Sequence, residues 1–181
     1  MFLGDAVEKR MDGRLINVTH IQTSFDDFEP IGDMEVDLVT WFLGPHELWY
    51  TPEGAEPGAL GDPDVAFSEI ARVLKPGGRL AISDIVYGGE IDPQVRERFQ
   101  ANWAGCVGGA IEEDRYFQIL QDVGFGQVEI VARHPLQQKE LEEMACCPGP
   151  EFTPAPAKDD IASVEGKVVS IKFRAGKPRT H

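Results

Sequence analysis

Three cysteines are the residues of this chain whose type and spacing suit soft-ligand chemistry. Cys146 and Cys147 are adjacent, in the run Cys146-Cys147-Pro148-Gly149-Pro150. Neighbouring thiols in a Pro-Gly loop form a clip for a thiophilic metal or metalloid, because thiolates prefer soft ions. The plainer reading is a loop with incidental thiols. Cys106 stands in the glycine-rich turn Gly105-Cys106-Val107-Gly108-Gly109, either as a ligand or as a small buried side chain. An odd cysteine count with one adjacent pair argues against a disulfide framework and for a reducing cytoplasm. His46 and Glu47 form a second candidate set, as an acid/base couple or part of a metal site. They follow an apolar stretch, where α/β sheets place ligands at the carboxyl ends of strands. Side by side on a strand they would face apart, so a structural or solvated loop is the competing reading.

The elements that must position these residues can be read from periodicity and from breakers. Val36 to Leu43 is an almost wholly apolar run, the pattern of a strand covered on both faces. Asp62-Pro63 opens a helix with a capping carboxylate and Pro at the first helical position. Ala66, Phe67, Ile70, Val73 and Leu74 follow at helical spacing. Pro76-Gly77-Gly78 must stop that helix at Lys75. Arg79 to Val86 is a second buried strand. Asp92-Pro93 opens a helix toward Trp103, and another helix runs from about Glu112 to Val123 and closes at Gly124. Gln127 to Ala132 and Lys167 to Ala175 are late strands; in the second, Val169, Ile171 and Phe173 alternate with Ser170, Lys172 and Arg174. Leu15 to Ile21 is β-rich and is expected to be a further short strand. Trp49 and Tyr50 are expected to cover a sheet edge, and Glu140 to Glu143 to form a solvated helix face.

Length and charge set the outer limits. The 181 residues suit a single domain over 1–181, with a lead-in at 1–14 and a proline-rich loop at 145–160. Thirty-one acidic residues stand against seventeen basic ones, a net charge of -14. That balance argues against nucleic acid as a partner and against an anionic membrane surface. No apolar run reaches the ~18 residues of a membrane span. The opening Met1-Phe2-Leu3-Gly4-Asp5 offers no signal-peptide core.

Two strings carry a family resemblance. Arg72-Val73-Leu74-Lys75-Pro76-Gly77-Gly78-Arg79-Leu80, between an apolar helix and a strand ending in Ser83-Asp84, resembles the helix–turn–strand of class I S-adenosylmethionine-dependent methyltransferases. Trp103-Ala104-Gly105-Cys106-Val107-Gly108-Gly109-Ala110-Ile111 is similar to the segment around an arsenic-binding cysteine of arsenite methyltransferases. The resemblance covers about Val36 to Arg174. It implies an α/β, Rossmann-like methyltransferase sheet, mostly parallel with an antiparallel C-terminal strand pair. The family order 3-2-1-4-5-7-6 makes the strands at 36–43, 79–86, 167–175 and 127–132 neighbours in that sequence, with 167–175 reversed.

The same resemblance implies a function. S-adenosylmethionine would give its methyl group to trivalent arsenic held by Cys106, Cys146 and Cys147, which are then the catalytic and arsenic-binding residues. Cofactor contacts would fall to Ser24, Asp26, Thr40 and His46. The chain departs from the family in two respects: no Asp-x-Gly-x-Gly-x-Gly string precedes the apolar strands, and Thr40-Trp41-Phe42 stands where the family has a further cysteine. The chain therefore reads as truncated, lacking the Gly-rich cofactor-binding half. A homodimer or a complementary cofactor-binding chain is the expected partner. Two other readings remain: a non-catalytic module that binds a thiophilic ligand, and a methyltransferase for another small molecule.

Overall fold

The structure is a computed structural model that describes residues 17–21, 23–51, 54–102, 107–126, 128–145 and 157–179. A four-stranded sheet organises it: β1 (Val36–Phe42), β2 (Leu74–Tyr87), β3 (Val128–Pro135) and β4 (Val168–Gly176). Their spatial order is β1-β2-β4-β3. β1 runs parallel to β2, while β4 is antiparallel to both β2 and β3. Three strands thus point one way and β4 the other, as expected. Between the strands lie α1 (Pro63–Val73), α2 (Pro93–Asn102), α3 (Glu113–Asp122), α4 (Gln138–Ala145) and α5 (Lys158–Ser163). A short 3-10 helix, Pro45–Trp49, follows β1.

Local chemistry explains the boundaries. Asp62 caps α1, its carboxylate accepting from the Asp64 and Val65 amides, and Pro63 takes the first helical position. Asp92 does the same for α2 through the Gln94 amide, at 2.8 Å. The first helix ends at Val73 and β2 begins at Leu74, ahead of the expected stop at Lys75 and start at Arg79; Pro76-Gly77-Gly78 instead bulges within β2, where the register jumps from Val36–Leu74 to Leu38–Arg79 and Gly77 holds φ +81°, which a side chain would resist. Gly78 is required by space, since a Cβ there would lie 2.8 Å from the Lys75 carbonyl oxygen.

Each sheet face carries its own apolar cluster. On one face, Leu80, Ile82 and Val86 of β2 and Ile171 and Phe173 of β4 pack against Phe67 and Ile70 of α1 and Tyr116, Ile119 and Leu120 of α3. On the other, Ile85 and Tyr87 meet Val95 and Phe99 of α2, Leu141 of α4 and Ile161 of α5. The second layer covers only the carboxyl end of β2.

That partial cover corrects the reading of β1. Its apolar run predicted burial on both faces, yet Leu38 is 50% exposed and Phe42 65%. An apolar run states what a strand tolerates and not whether another layer reaches it. Leu15 to Ile21 does not form the expected strand over its described part: residues 17–21 are not in a strand, and β1 has only β2 as a ladder partner among the described residues. Trp49 is also displaced from its expected place at the sheet edge. It stacks on Phe67 with ring centroids 6.3 Å apart. The proline-rich loop expected over 145–160 gives way at Lys158 to α5. Glu140 to Glu143 lies in α4, whose Leu141 is fully buried.

Candidate functional site

Among the described residues, two ionisable side chains other than tyrosine are buried at the heart of the molecule, His46 and Asp84. The chain leaves β1 through Leu43, held at φ +49°, and Gly44, whose missing side chain makes room for the Trp41 indole. This turn drives Pro45–Trp49 back over the sheet. His46 is thereby aimed at Asp84, which stands on β2 one residue beyond Ser83, the partner of Phe42. His46 Nδ1 and Asp84 Oδ1 are 2.5 Å apart. The Tyr116 hydroxyl of α3 donates to the other oxygen, Asp84 Oδ2, at 3.3 Å.

The set is enclosed by rings and reaches outward on one side. Trp49 and Phe67 each lie 5.7 Å from the Tyr116 ring, and Phe173 lies 5.4 Å away. Burial and the adjacent Asp84 carboxylate push the Tyr116 hydroxyl far above its ordinary value, so it stays protonated and acts as a donor. On the outer side, Glu47 Oε1 is 3.5 Å from His46 Nε2, and the Glu47 side chain is one-third exposed. The order is a surface carboxylate, an imidazole, a buried carboxylate and a phenol. Such a chain can hold a proton at a defined nitrogen and fix the ring that carries it. Sequence reasoning named His46 but set it in a loop that was either structural or solvated. Asp84 was quoted only within a string. The available signal was an acid inside an apolar strand, which must find a partner because a lone buried charge is costly.

The other expected site residues fall as follows. Ser24 Oγ donates to Asp26 Oδ1 at 2.7 Å, and Asp26 Oδ2 accepts from the Asp62 amide at 2.9 Å. The Ser24 hydroxyl and that amide hold the Asp26 carboxyl below its usual range. Gly61 is the meeting point of this loop with Leu48 of the 3-10 helix; a Cβ there would lie 3.2 Å from both Asp26 and Leu48. Asp26 and His46 therefore belong to the same end of the sheet. Thr40 is exposed on β1. Cys106, Cys146 and Cys147 lie outside the described residues.

The segment after Cys106 is nevertheless firmly tied. The Tyr87 hydroxyl donates to the Val107 carbonyl at 2.5 Å, and the Tyr87 amide to the Ile111 carbonyl at 2.8 Å. Burial pushes the Tyr87 hydroxyl up to about 12. Val107, wholly buried, shares its cluster with Leu141 of α4, the helix that ends at Ala145, immediately before Cys146.

The described residues do not by themselves form a cradle for S-adenosylmethionine. Asp26 has one oxygen engaged by Ser24 and the other by the Asp62 amide, and Thr40 stands on the uncovered part of the sheet. Gly44, the glycine that follows β1, has its open side filled by Trp41.

Comparison with known proteins fits this architecture. A family model described as a methyltransferase domain matches residues 3–124. An arsenite methyltransferase of Halobacterium salinarum is 39% identical over 67 residues, 37% of this chain and 17% of that protein. The arsenite methyltransferase of Homo sapiens is 32% identical over 85 residues, 46% of this chain and 22% of that one. These matches span about a fifth of the curated relatives' length. The crystal structure of CrArsM, an arsenic (III) S-adenosylmethionine methyltransferase from Chlamydomonas reinhardtii, superposes with a TM-score of 0.59 at 19% identity, covering 91% of this chain and 45% of that one. The shared sheet, the matched turn after α1 and the family model agree: the chain belongs to the methyltransferase domain family.

Proposed function

We propose that this chain forms the acceptor side of an S-adenosylmethionine-dependent methyltransferase of the arsenite-methylating type, with trivalent arsenic held on the thiolates of Cys106, Cys146 and Cys147. The observation that carries the reading is the pinning of Val107 and Ile111 by Tyr87 at the carboxyl end of β2. It ties the chain next to Cys106 to the end of the sheet that holds His46 and Asp84. The common cluster of Val107 and Leu141, on the sheet face opposite Asp84, holds the chain that leads to Cys146 by the same carboxyl end of β2. Each As–S bond replaces an As–OH bond of arsenous acid: the thiol gives up its proton, and the departing hydroxide takes one and leaves as water. Asp84 orients the His46 ring, and Glu47 connects that ring to solvent, so the pair supplies a route for those protons.

S-adenosylmethionine would supply the methyl group. Because the described residues do not cradle it, a second polypeptide surface at the edge of β1, from another copy or from a complementary chain, completes its site. A second reading is favoured by the engaged Asp26: the chain binds a thiophilic ligand and transfers nothing.

Two titrations separate the readings. A trivalent arsenical should quench Trp103 fluorescence saturably, and Cys106→Ser should weaken that binding markedly. A Cys106→Ser variant that binds as tightly as the native chain removes the arsenic assignment. Calorimetric titration with S-adenosylmethionine then decides between enzyme and module. Micromolar binding by the chain, alone or with its partner, supports the enzyme, and silence at millimolar concentration supports the module.

A further inference from the structure

Opposite the His46–Asp84 end, the amino ends of β1 and β2 frame a second cavity of about 410 Å³, lined by Asp37, Lys75, Gly77, Gly78, Arg79 and Arg179. Its volume lies in the range of small-molecule sites, ~300–1,000 Å³. Its charge runs against the rest of the molecule. Acids outnumber bases nearly two to one in this chain. Arg72, Arg96, Arg98, Arg133 and Arg174 are each paired with a carboxylate. Arg79 and Arg179 have no carboxylate partner among the described residues, and Lys75, 2.9 Å from Asp37, is the cavity's one paired cation. Three cations against one acid leave a net positive charge of about two in a single concave site.

The cavity is also held in shape. The Gly77 amide donates to the Lys177 carbonyl and the Lys177 amide to the Gly78 carbonyl, both at 2.9 Å. These bonds stitch the segment carrying Arg179 over the turn. Lys177 Nζ caps the end of α1 on the Ala71 and Leu74 carbonyls, at 2.8 and 2.7 Å. A side chain on Gly77 would lie 3.2 Å from Arg179 Nε, so the bare turn is what seats that guanidinium. Arg79, which also borders a smaller cavity beside Glu129, and Arg179 line this cavity without a carboxylate partner among the described residues, and guanidinium groups suit a tetrahedral dianion, which accepts paired N–H donors from a fork.

We infer that this cavity binds the phosphate group of a small phosphate monoester. The site is separate from the proposed reaction centre. Arg79 pairs with Leu38 and Ser83 with Phe42 across the β1–β2 ladder, so the two ends lie roughly 13 Å apart at the rise of a strand. A monoester can therefore bind while the carboxyl end stays free.

The test is titration of the ¹⁵N-labelled full chain with glycerol phosphate and with inorganic phosphate. It is run at constant ionic strength and about pH 7.5, where a monoester, with its second ionisation near 6, is the dianion. The Arg79 and Arg179 Nε–H signals and the Gly77 and Gly78 amides should shift saturably with both probes. Arg79→Gln with Arg179→Gln should weaken binding by about tenfold or more, while Arg115→Gln, on α3, leaves it unchanged. The double variant must keep the native melting profile; if it does not, Arg79→Lys with Arg179→Lys, which preserves charge but not the fork, should still bind severalfold more weakly. Shifts linear in concentration and matched by chloride overturn the site. Saturable binding of inorganic phosphate without glycerol phosphate overturns the monoester assignment.

Discussion

At the scale of single residues, the pairing of Asp84 with His46 and Tyr116 is the most consequential contact in the chain. Two donors converge on one carboxylate that has no exposure to water. Removing the carboxylate strands an imidazole and a phenol in an apolar enclosure. Asp84→Leu should therefore cost about 3–5 kcal/mol, the usual penalty for breaking a buried pair from one side. Tyr116→Phe removes only the longer bond and should cost about 0.5–1.5 kcal/mol. Urea denaturation of both variants checks the ranking, and a larger loss for Tyr116→Phe would mean that the phenol hydroxyl, not the carboxylate, organises the site. Half of this was legible beforehand. His46 was recognisable as a titratable group after a strand, but its partner lies 38 positions on, and nothing in local periodicity connects them. The three cysteines were legible as types, and only their loops, not their convergence, can be read from spacing.

At the scale of elements, the punctuation of the chain was readable because each signal acts locally. Asp62-Pro63, Asp92-Pro93 and Pro76-Gly77-Gly78 each act within a turn of the residue concerned. The loop ahead of β1 illustrates what was not readable. Arg72 gathers the Phe28 and Ile31 carbonyls together with Glu69 and Asp33, and Glu69 also accepts from the Phe28 amide. Phe28, Ile31 and Asp33 are about 40 positions from Arg72 in sequence. The Arg72 guanidinium and the Phe28 amide hold the Glu69 carboxyl below its ordinary 4.5. A carboxyl lowered by folding stabilises the fold fully above its unfolded value and loses that contribution as pH falls through the folded one. The loop should accordingly stay latched above about pH 4.5 and release below it, ahead of the sheet. Amide exchange at Phe28 and Ile31 measured against pH reads this out; equal acid sensitivity in Ile171 and Phe173 would count against a local latch. Leu43 gives a second test. Its left-handed backbone costs a branched residue about 1–2 kcal/mol, while its side chain is mostly exposed. Leu43→Asn should raise the melting midpoint, since Asn tolerates that conformation, and a lowered midpoint would show that the Leu side chain matters more than the strain.

At the scale of the whole molecule, the strand order was legible because it followed from the matched turn and the late alternating strand. The exposure of Leu38 and Phe42 on β1 was not, because an apolar strand looks the same in sequence whether its faces are covered or open. The outer edge of β1 now decides how the molecule behaves in solution. Among the described residues β1 is bonded on one side only, and beside it Leu38, Phe42 and Leu43 are half exposed or more. An open edge flanked by apolar side chains is a template for another strand. Water can satisfy the outward amides, so the drive to pair comes from the apolar groups, at about 25 cal/mol per Å² removed from contact with water. Two copies meeting edge to edge across a two-fold axis would bring Leu38 and Phe42 of both chains together. Opposing this, each copy carries a net charge of -14. Self-association should consequently strengthen as salt screens the repulsion, the reverse of an ion-paired interface. Light scattering over a range of low micromolar concentrations should show the mass rising toward twice 20.0 kDa, more readily at high salt. Phe42→Lys should return the chain to a monomer with little change in melting, since substitutions at exposed positions usually alter stability by about 0.5 kcal/mol or less. A chain that stays monomeric at every salt concentration, with freely exchanging β1 amides, rejects the second copy and leaves the complementary chain as the partner for that edge. A monomer whose outward β1 amides are protected rejects both, because the edge would then already be paired within the chain.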